Sequence, residues 1–472
     1  LPGIHRIDAV SLDPLKLLIG NNTCYKISDR RSDKRFLILL QELHSLVLLT
    51  NELGIDDARG SAISTFCTIL VAPKGPEADE VKKTAFETVI SAIENTPTSF
   101  NGHWKKVMTT LSEFAWIPAN YDFTKNIQVD QIIEIITSLF SINDGDANTK
   151  DWSILFTVNV LIANISRFKQ IWPSIEEIFV QMIQNDESQE TTMKSFYKLL
   201  REGFTTESEK ELCLTMKKLI IYCRFTPDMR IQILEQTYNV LLQSSNIVSS
   251  DGWISLLNAF LPSNFQNEVK ILNTAFRCVQ LICNDLMFSL PEETQTDIIT
   301  LIIEYASQMT DINVSLSSFD FLWNFASKAK TTEMWKFIFL KTEPLIFDTR
   351  IDVSVCAVNT FISLIITNSQ LLTHDVYEYL ATDLFMKIIE TFANQTDGNE
   401  TTEQLTFHEL AHCGRTLWDQ FKDVNMFCDE FWKKMISEHQ KFITRCKKRD
   451  ILVNSFLFYE ELFQNHFLSK SF

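Results

Sequence analysis

A chain of 472 residues with 45% hydrophobic and 22% charged residues can bury a large core, which argues against a disordered chain. Its formal net charge of −17 argues against general binding to nucleic acid or to anionic lipid, since both call for a basic face. Only 11 Gly and 11 Pro leave few tight turns, against sandwiches and propellers, while 36 Phe suit the grooves between packed helices.

Residues 1–34 carry little periodicity and read as an entry segment. From Arg35 a helix is expected, with Phe36, Leu40, Leu43 and Val47 on one face. A second follows Asp57 with Ala62, Phe66 and Ile69, until the Pro73–Pro76 stretch stops it. A third runs from about Glu80 through Phe86, Val89 and Ile93. A fourth starts near Trp104 and continues through Met108, Leu111 and Ala115 toward Pro118.

From there one figure recurs: an apolar helix, a short polar loop, then Trp at the start of the next helix. Its instances are Trp104, Trp172, Trp253, Trp335 and Trp432, spaced 68, 81, 82 and 97 residues apart. A HEAT or armadillo repeat takes about 40–47 residues, so two helical hairpins fit between most successive tryptophans. The loops Asn143–Lys150, Asn185–Glu190, Thr205–Glu211, Ser244–Asp251 and Asn394–Glu403 separate the pairs. None is long enough for a domain linker. Residues 35–472 therefore read as one continuous solenoid, with subdivisions expected near 143–150, 244–251 and 394–403.

The stretch Thr274–Ser327 shows the grammar most clearly. Phe276, Val279, Ile282 and Cys283 make one stripe, closed by Ser289-Leu290-Pro291. Ile298, Leu301, Ile302 and Tyr305 make the next, and Leu316, Phe319, Leu322 and Trp323 a third. Each is too short to bury itself alone, so the three must pack on one another. Trp323 is expected to be a core anchor. Alternation of the strand type appears only at Ile351–Val355. The expected fold is all-α: a right-handed superhelix of about ten to twelve HEAT/armadillo-like hairpins.

Ten cysteines without a CxxC pair fit reduced thiols, with Cys278, Cys283 and Cys356 inside apolar stripes. Asn164 and Asn313 then lie in unused glycosylation patterns. The chain starts Leu1-Pro2-Gly3 and reads as a fragment without a signal peptide. The uncharged run Val353–Leu372 is interrupted by Asn359, Ser363 and Asn368, as a buried helix would be. The basic clusters Arg30-Arg31 with Lys34-Arg35, and Lys447–Arg449, read as solvated helix ends. Arg224 and Arg230 beside Asp228 read as a structural ion pair.

One motif suggests chemistry. Phe407-His408-Glu409-Leu410-Ala411-His412-Cys413 contains HExxH, which on a helix puts His408 and His412 on one face. They could hold Zn²⁺ with Glu409 as general base, and Glu430 lies at a third-ligand spacing. Such peptidases hold substrate against a sheet edge, and no sheet is visible upstream. Trp418 and Phe421 simply continue a helical stripe. The favoured reading is a surface or capping pair of histidines with no catalytic, cofactor or metal site.

Thr274-Ala275-Phe276, Cys278, Gln280-Leu281, Asp285 and Pro291, then Asn313–Leu316 and Leu322-Trp323-Asn324, resemble the Mon-two family. These are large Golgi and endosome scaffolds, related to BIG-type Arf guanine-nucleotide exchange factors but lacking the exchange domain. The resemblance extends over roughly 35–465. It takes in Leu53-Gly54-Ile55 with Arg59, Gly102-His103-Trp104, Thr226–Arg230 leading to Ser250–Trp253, Arg350–Val353, and His408 with Arg415 and Trp418. The family's long insertion after Asn324 is absent, because Trp335 follows almost at once. The resemblance implies a non-enzymatic scaffold on the cytosolic face of Golgi and endosome membranes. Its implied partners are a Dopey-type protein, an Arf-family GTPase and, indirectly, a phospholipid flippase. Membrane association would be indirect, and any oligomerisation would use regions outside this chain. The regulatory solenoid of a BIG-type exchange factor is the close alternative, which Ala326-Ser327-Lys328 leans toward, and a zinc peptidase the remote one.

Overall fold

A computed structural model describes residues 30–71, 78–114, 122–142, 147–184, 189–221, 226–265, 268–326, 329, 331–394, 400, 402–410 and 429–462. Among these residues every regular element is helical and no strand occurs. The chain divides into two compact units between Thr215 and Met216.

In the first unit the helices are α1 (Arg30–Glu52), α2 (Asp56–Leu70), α3 (Ala78–Asn95), α4 (Trp104–Ser112), α5 (Val129–Phe140), α6 (Ala147–Ala163), α7 (Phe168–Gln184) and α8 (Gln189–Gly203). The expected first four are present, with Leu40, Leu43, Val47, Ala62, Phe66, Phe86, Val89, Ile93, Met108 and Leu111 buried. The side chains of Phe36 and Ile69, and residues 1–29 and Ala115 altogether, lie outside the described residues. Between α1 and α2, Gly54 adopts φ 66°. Its N–H donates to Asn51 O and that of Ile55 to Thr50 O, a paired helix stop that needs a left-handed residue. Each helix packs on its successor or on the one after: α1 on α2 and α3, α4 on α5 and α6, α6 on α8, α7 on α5 and α8.

Helix α9 (Glu209–Ile221) contains the division. In the second unit follow α10 (Pro227–Ser244), α11 (Ser250–Ala259), α12 (Val269–Asn284), α13 (Gln295–Ser307), α14 (Ile312–Ala326), α15 (Thr332–Ile346), α16 (Ile351–Thr367), α17 (His374–Tyr379) and α18 (Phe385–Asn394). A π turn, Leu380–Leu384, joins the last two. Then come α19 (402–410), α20 (Asp429–Arg445) and α21 (Arg449–Leu462). Helices α10, α12, α14 and α16 pack in one layer, and α11, α13, α15 and α17 in the other. This stacking of every second helix is the hallmark of a helical-repeat array, so both units are all-α and HEAT/armadillo-like.

Long-range hydrogen bonds reveal the repeat length directly. Trp172 Nε1 donates to Thr215 Oγ1, and Asn164 Nδ2 to Thr124 Oγ1, over 43 and 40 residues. In the second unit Tyr305 Oη donates to Phe260 O over 45 residues, and Lys387 Nζ to Glu343 Oε2 over 44. A helix therefore meets its equivalent about one HEAT repeat away. Among the described residues, three helix steps separate Trp104 from Trp172, on α4 and α7. Four separate Trp172, Trp253 and Trp335, on α7, α11 and α15, which explains why the first gap is the short one.

Several expectations change. Trp323 is only half-buried. The buried face of α14 runs through Val314, Ser318, Phe321, Leu322 and Phe325, which leaves Leu316 and Trp323, seven residues apart, together on its flank. Cys356 is likewise half-buried on the flank of α16, whereas Cys67, Cys213, Cys278 and Cys283 are buried free thiols. Ile351–Val355, despite its alternation, is the first turn of α16. Asn164 is buried and bonded to Thr124, so no glycan fits there. Arg230 pairs with Glu268, not Asp228, and Arg224 lies outside the described residues. Among the described residues no helix is long and apolar enough to cross a membrane.

Candidate functional site

The HExxH segment begins on α19, whose buried face is Thr402, Glu403, Thr406, Phe407 and Leu410. His408 falls on the opposite side, its side chain 45% exposed, with Nδ1 3.5 Å from Glu409 Oε1. His412 lies outside the described residues. So does the side chain of Glu430, whose backbone is in α20. Among the described residues no group of three His, Cys, Asp or Glu side chains could hold a metal ion. We expect purified protein to carry no stoichiometric zinc, and His408→Ala to leave its unfolding midpoint unchanged; elemental analysis giving one zinc per chain, lost in that variant, would revive the peptidase reading.

The residues that α19 does bring together were not singled out in the sequence. Gln404 Oε1 accepts from Ser455 Oγ of α21 at 2.7 Å and lies 3.1 Å from His439 Nε2 of α20, a geometry that needs the imidazole proton on Nε2. The His439 ring is fully buried, 4.9 Å from Phe407, 5.3 Å from Tyr459 and parallel to Phe442. Burial pushes it down to about 4. Beside it Glu403 pairs with Arg445, which also donates to Phe392 O. Burial lifts Glu403 to about 7 against the pull of Arg445. A signal for His439 did exist: Met435, His439 and Phe442 recur at helical spacing, as core positions do.

This knot ties three helices together, and its two titrations oppose each other. His439 is depressed in the folded state, so the stability it contributes is present above 6.5 and is lost as pH falls through about 4. Glu403 is raised, so its contribution is present below 4.5 and is lost as pH rises through about 7. Urea unfolding across this window should show a shallower acid loss in His439→Gln and a steeper one in Glu403→Gln. Identical acid arms in all three proteins would show that neither group titrates with folding.

A second set of side chains the sequence reading missed is the half-buried arginines that close helix ends. Arg167 donates to Thr124 O and Ile127 O, Arg230 to Asn264 O, and Arg350 to Ala306 O, Ser307 O and Gln308 O. Each supplies cationic donors to carbonyls at the end of a helical turn. Both sets organise the repeats, and neither presents a nucleophile beside a base.

No family model matches the chain. Over 200 residues it is 21% identical to Protein MON2 homolog of Homo sapiens, covering 40% of this chain and 12% of that protein. Over 100 residues it is 29% identical to Protein MON2 homolog of Schizosaccharomyces pombe, covering 21% of this chain and 6% of that one. A crystal structure of importin beta aligns over 91% of this chain and 53% of its own, at 13% identity, with a TM-score of 0.23 that supports no argument from shared shape. The curated proteins this chain is similar to thus share one name, and the matched stretch is a small part of their length.

Proposed function

We propose that this chain is a non-enzymatic binding scaffold of the Mon-two kind, acting in vesicle traffic between Golgi and endosomes. The observation that carries the proposal is the similarity to Protein MON2 homologs from species as distant as human and fission yeast. A helical-repeat fold fits it, because stacked hairpins offer long surfaces rather than a reactive pocket. Under this reading the chain works on the cytosolic face of the membrane beside an Arf-family GTPase. It engages a Dopey-type protein and, through it, a phospholipid flippase. Membrane attachment comes from a partner or from other parts of the parent protein, since a charge of −17 opposes anionic lipid.

The test is capture of a purified Dopey-type protein by the immobilised chain, alongside flotation of the chain with anionic liposomes. Saturable capture without partner-free flotation is the expected result. Strong flotation of the chain alone would overturn the indirect attachment, and absence of capture would remove the Dopey-type protein as a partner of this region.

A further inference from the structure

One edge of the second unit carries an apolar row that its fold leaves partly exposed. Helices α10, α12, α14 and α16 are neighbours in one layer. Their N-termini are stitched side by side. Arg230 in the first turn of α10 pairs with Glu268, the N-cap of α12, at 2.9 Å. Asn273 of α12 donates to Asp311 just before α14, and Arg350, the N-cap of α16, donates to Ser315 Oγ of α14.

The first residues of these helices are Pro227, Val269, Ile312 and Ile351, at sequence spacings of 42, 43 and 39. Val269, Ile312 and Ile351 are 45%, 39% and 52% exposed, and Met309 beside them is 70% exposed. First-turn positions ordinarily favour Pro or polar and acidic residues, so a solvated helix end does not explain a repeated aliphatic there.

The spacing selects an occupant. Packed helices lie about 8–10 Å apart, so the apolar knobs recur at that interval. An extended polyproline-type chain advances about 9 Å in three residues, so every third side chain would meet a successive knob.

Charge selects further. Asp228, Glu268, Asp311, Asp348 and Asp352 outnumber Arg230, Lys270 and Arg350 along the edge, and both arginines are already committed to carboxylates. First-turn acids also offset the positive ends of the helix dipoles. A second copy of the chain seated on this edge would set like charges against each other.

We propose that this edge docks an extended, lysine-bearing segment of a partner protein with an aliphatic side chain at every third residue. The site does not rest on the proposed function.

The test uses the full chain and a fluorescent peptide of repeated Leu-Pro-Lys triplets, read by anisotropy. Controls are a peptide of the same composition with its leucines clustered, and one of Leu-Pro-Glu triplets. The variant is Ile312→Ser combined with Ile351→Ser; both residues are exposed, and an unchanged thermal melt confirms its fold. The lysine triplet peptide should bind, weaken with added salt, and lose about tenfold or more in affinity to the variant. Both control peptides should bind the unaltered chain weaker by about the same factor. Failure of the triplet peptide to bind, equal binding of the clustered peptide, or an unaffected variant would each overturn the proposal. So would sedimentation showing a dimer of the unaltered chain that the variant abolishes, because the edge would then belong to a second copy.

Discussion

Trp253→Ala should lower the unfolding free energy of the second unit by about 3–5 kcal/mol, seen as an earlier urea midpoint. Trp253 is fully buried near the start of α11, whose helix packs on α13. Truncation would leave a void that neighbours held by their own helices cannot fill. The phenylalanine variant separates packing from polarity. Trp253 Nε1 is buried with no hydrogen-bond partner among the described residues, whereas Trp172 Nε1 donates to Thr215 Oγ1 at 3.0 Å. Trp253→Phe therefore loses ring volume but relieves an unpaired donor, and should cost less than Trp172→Phe, which breaks a bond. Trp323→Ala, on the half-buried flank of α14, should cost less than Trp253→Ala. Equal losses at Trp253 and Trp323 would contradict the placement of that flank.

Arg350→Met should cost about 2–4 kcal/mol although it keeps most of the apolar stem. The Arg350 guanidinium donates to three consecutive carbonyls at the end of α13 and to Ser315, and it pairs with Asp348 at 2.7 Å. Its loss removes this donor from Ala306 O and Ser307 O, leaves Gln308 O with only Ser315 Oγ, and leaves the Asp348 carboxylate without its cation. Burial alone would raise Asp348, and the hydrogen bonds and charge of Arg350 reverse that and hold it below its ordinary value. Lysine at 350 should restore only part of the loss, since one ammonium cannot serve carbonyls and carboxylate together as a planar guanidinium does. A methionine variant with an unchanged urea midpoint would show that solvent can replace this cap.

What the sequence disclosed depended on the range of the interaction responsible. Helices such as α1 to α4 are written locally, in apolar spacing and in stops such as Leu53-Gly54-Ile55, and they read correctly. The repeat fold followed from stripes too short to bury themselves. Helical spacing alone places Trp323 in the core, but the depth of each position depends on which neighbours flank α14, and Trp323 is half-buried. The arginine caps were illegible for a similar reason. Arg350 lies 42 residues from Gln308, and nothing local marks that carbonyl as unpaired. The HExxH motif marks His408, which is exposed, whereas the buried imidazole of this region is His439 on α20. Its apolar spacing was present, but a lone histidine in a stripe carries no motif.

Whether this chain acts by binding rather than by chemistry is read most directly from fluorescent-nucleotide release by an Arf-family GTPase on anionic liposomes. Under the proposed reading the chain binds without catalysing exchange; its described residues form helical-repeat units. With the chain added in excess, nucleotide should leave at the GTPase's intrinsic rate, and it should still do so after a Dopey-type protein is supplied. Release accelerated by about tenfold or more, a barrier lowered by about 1.4 kcal/mol, would contradict the scaffold reading and make the chain part of an active exchange factor.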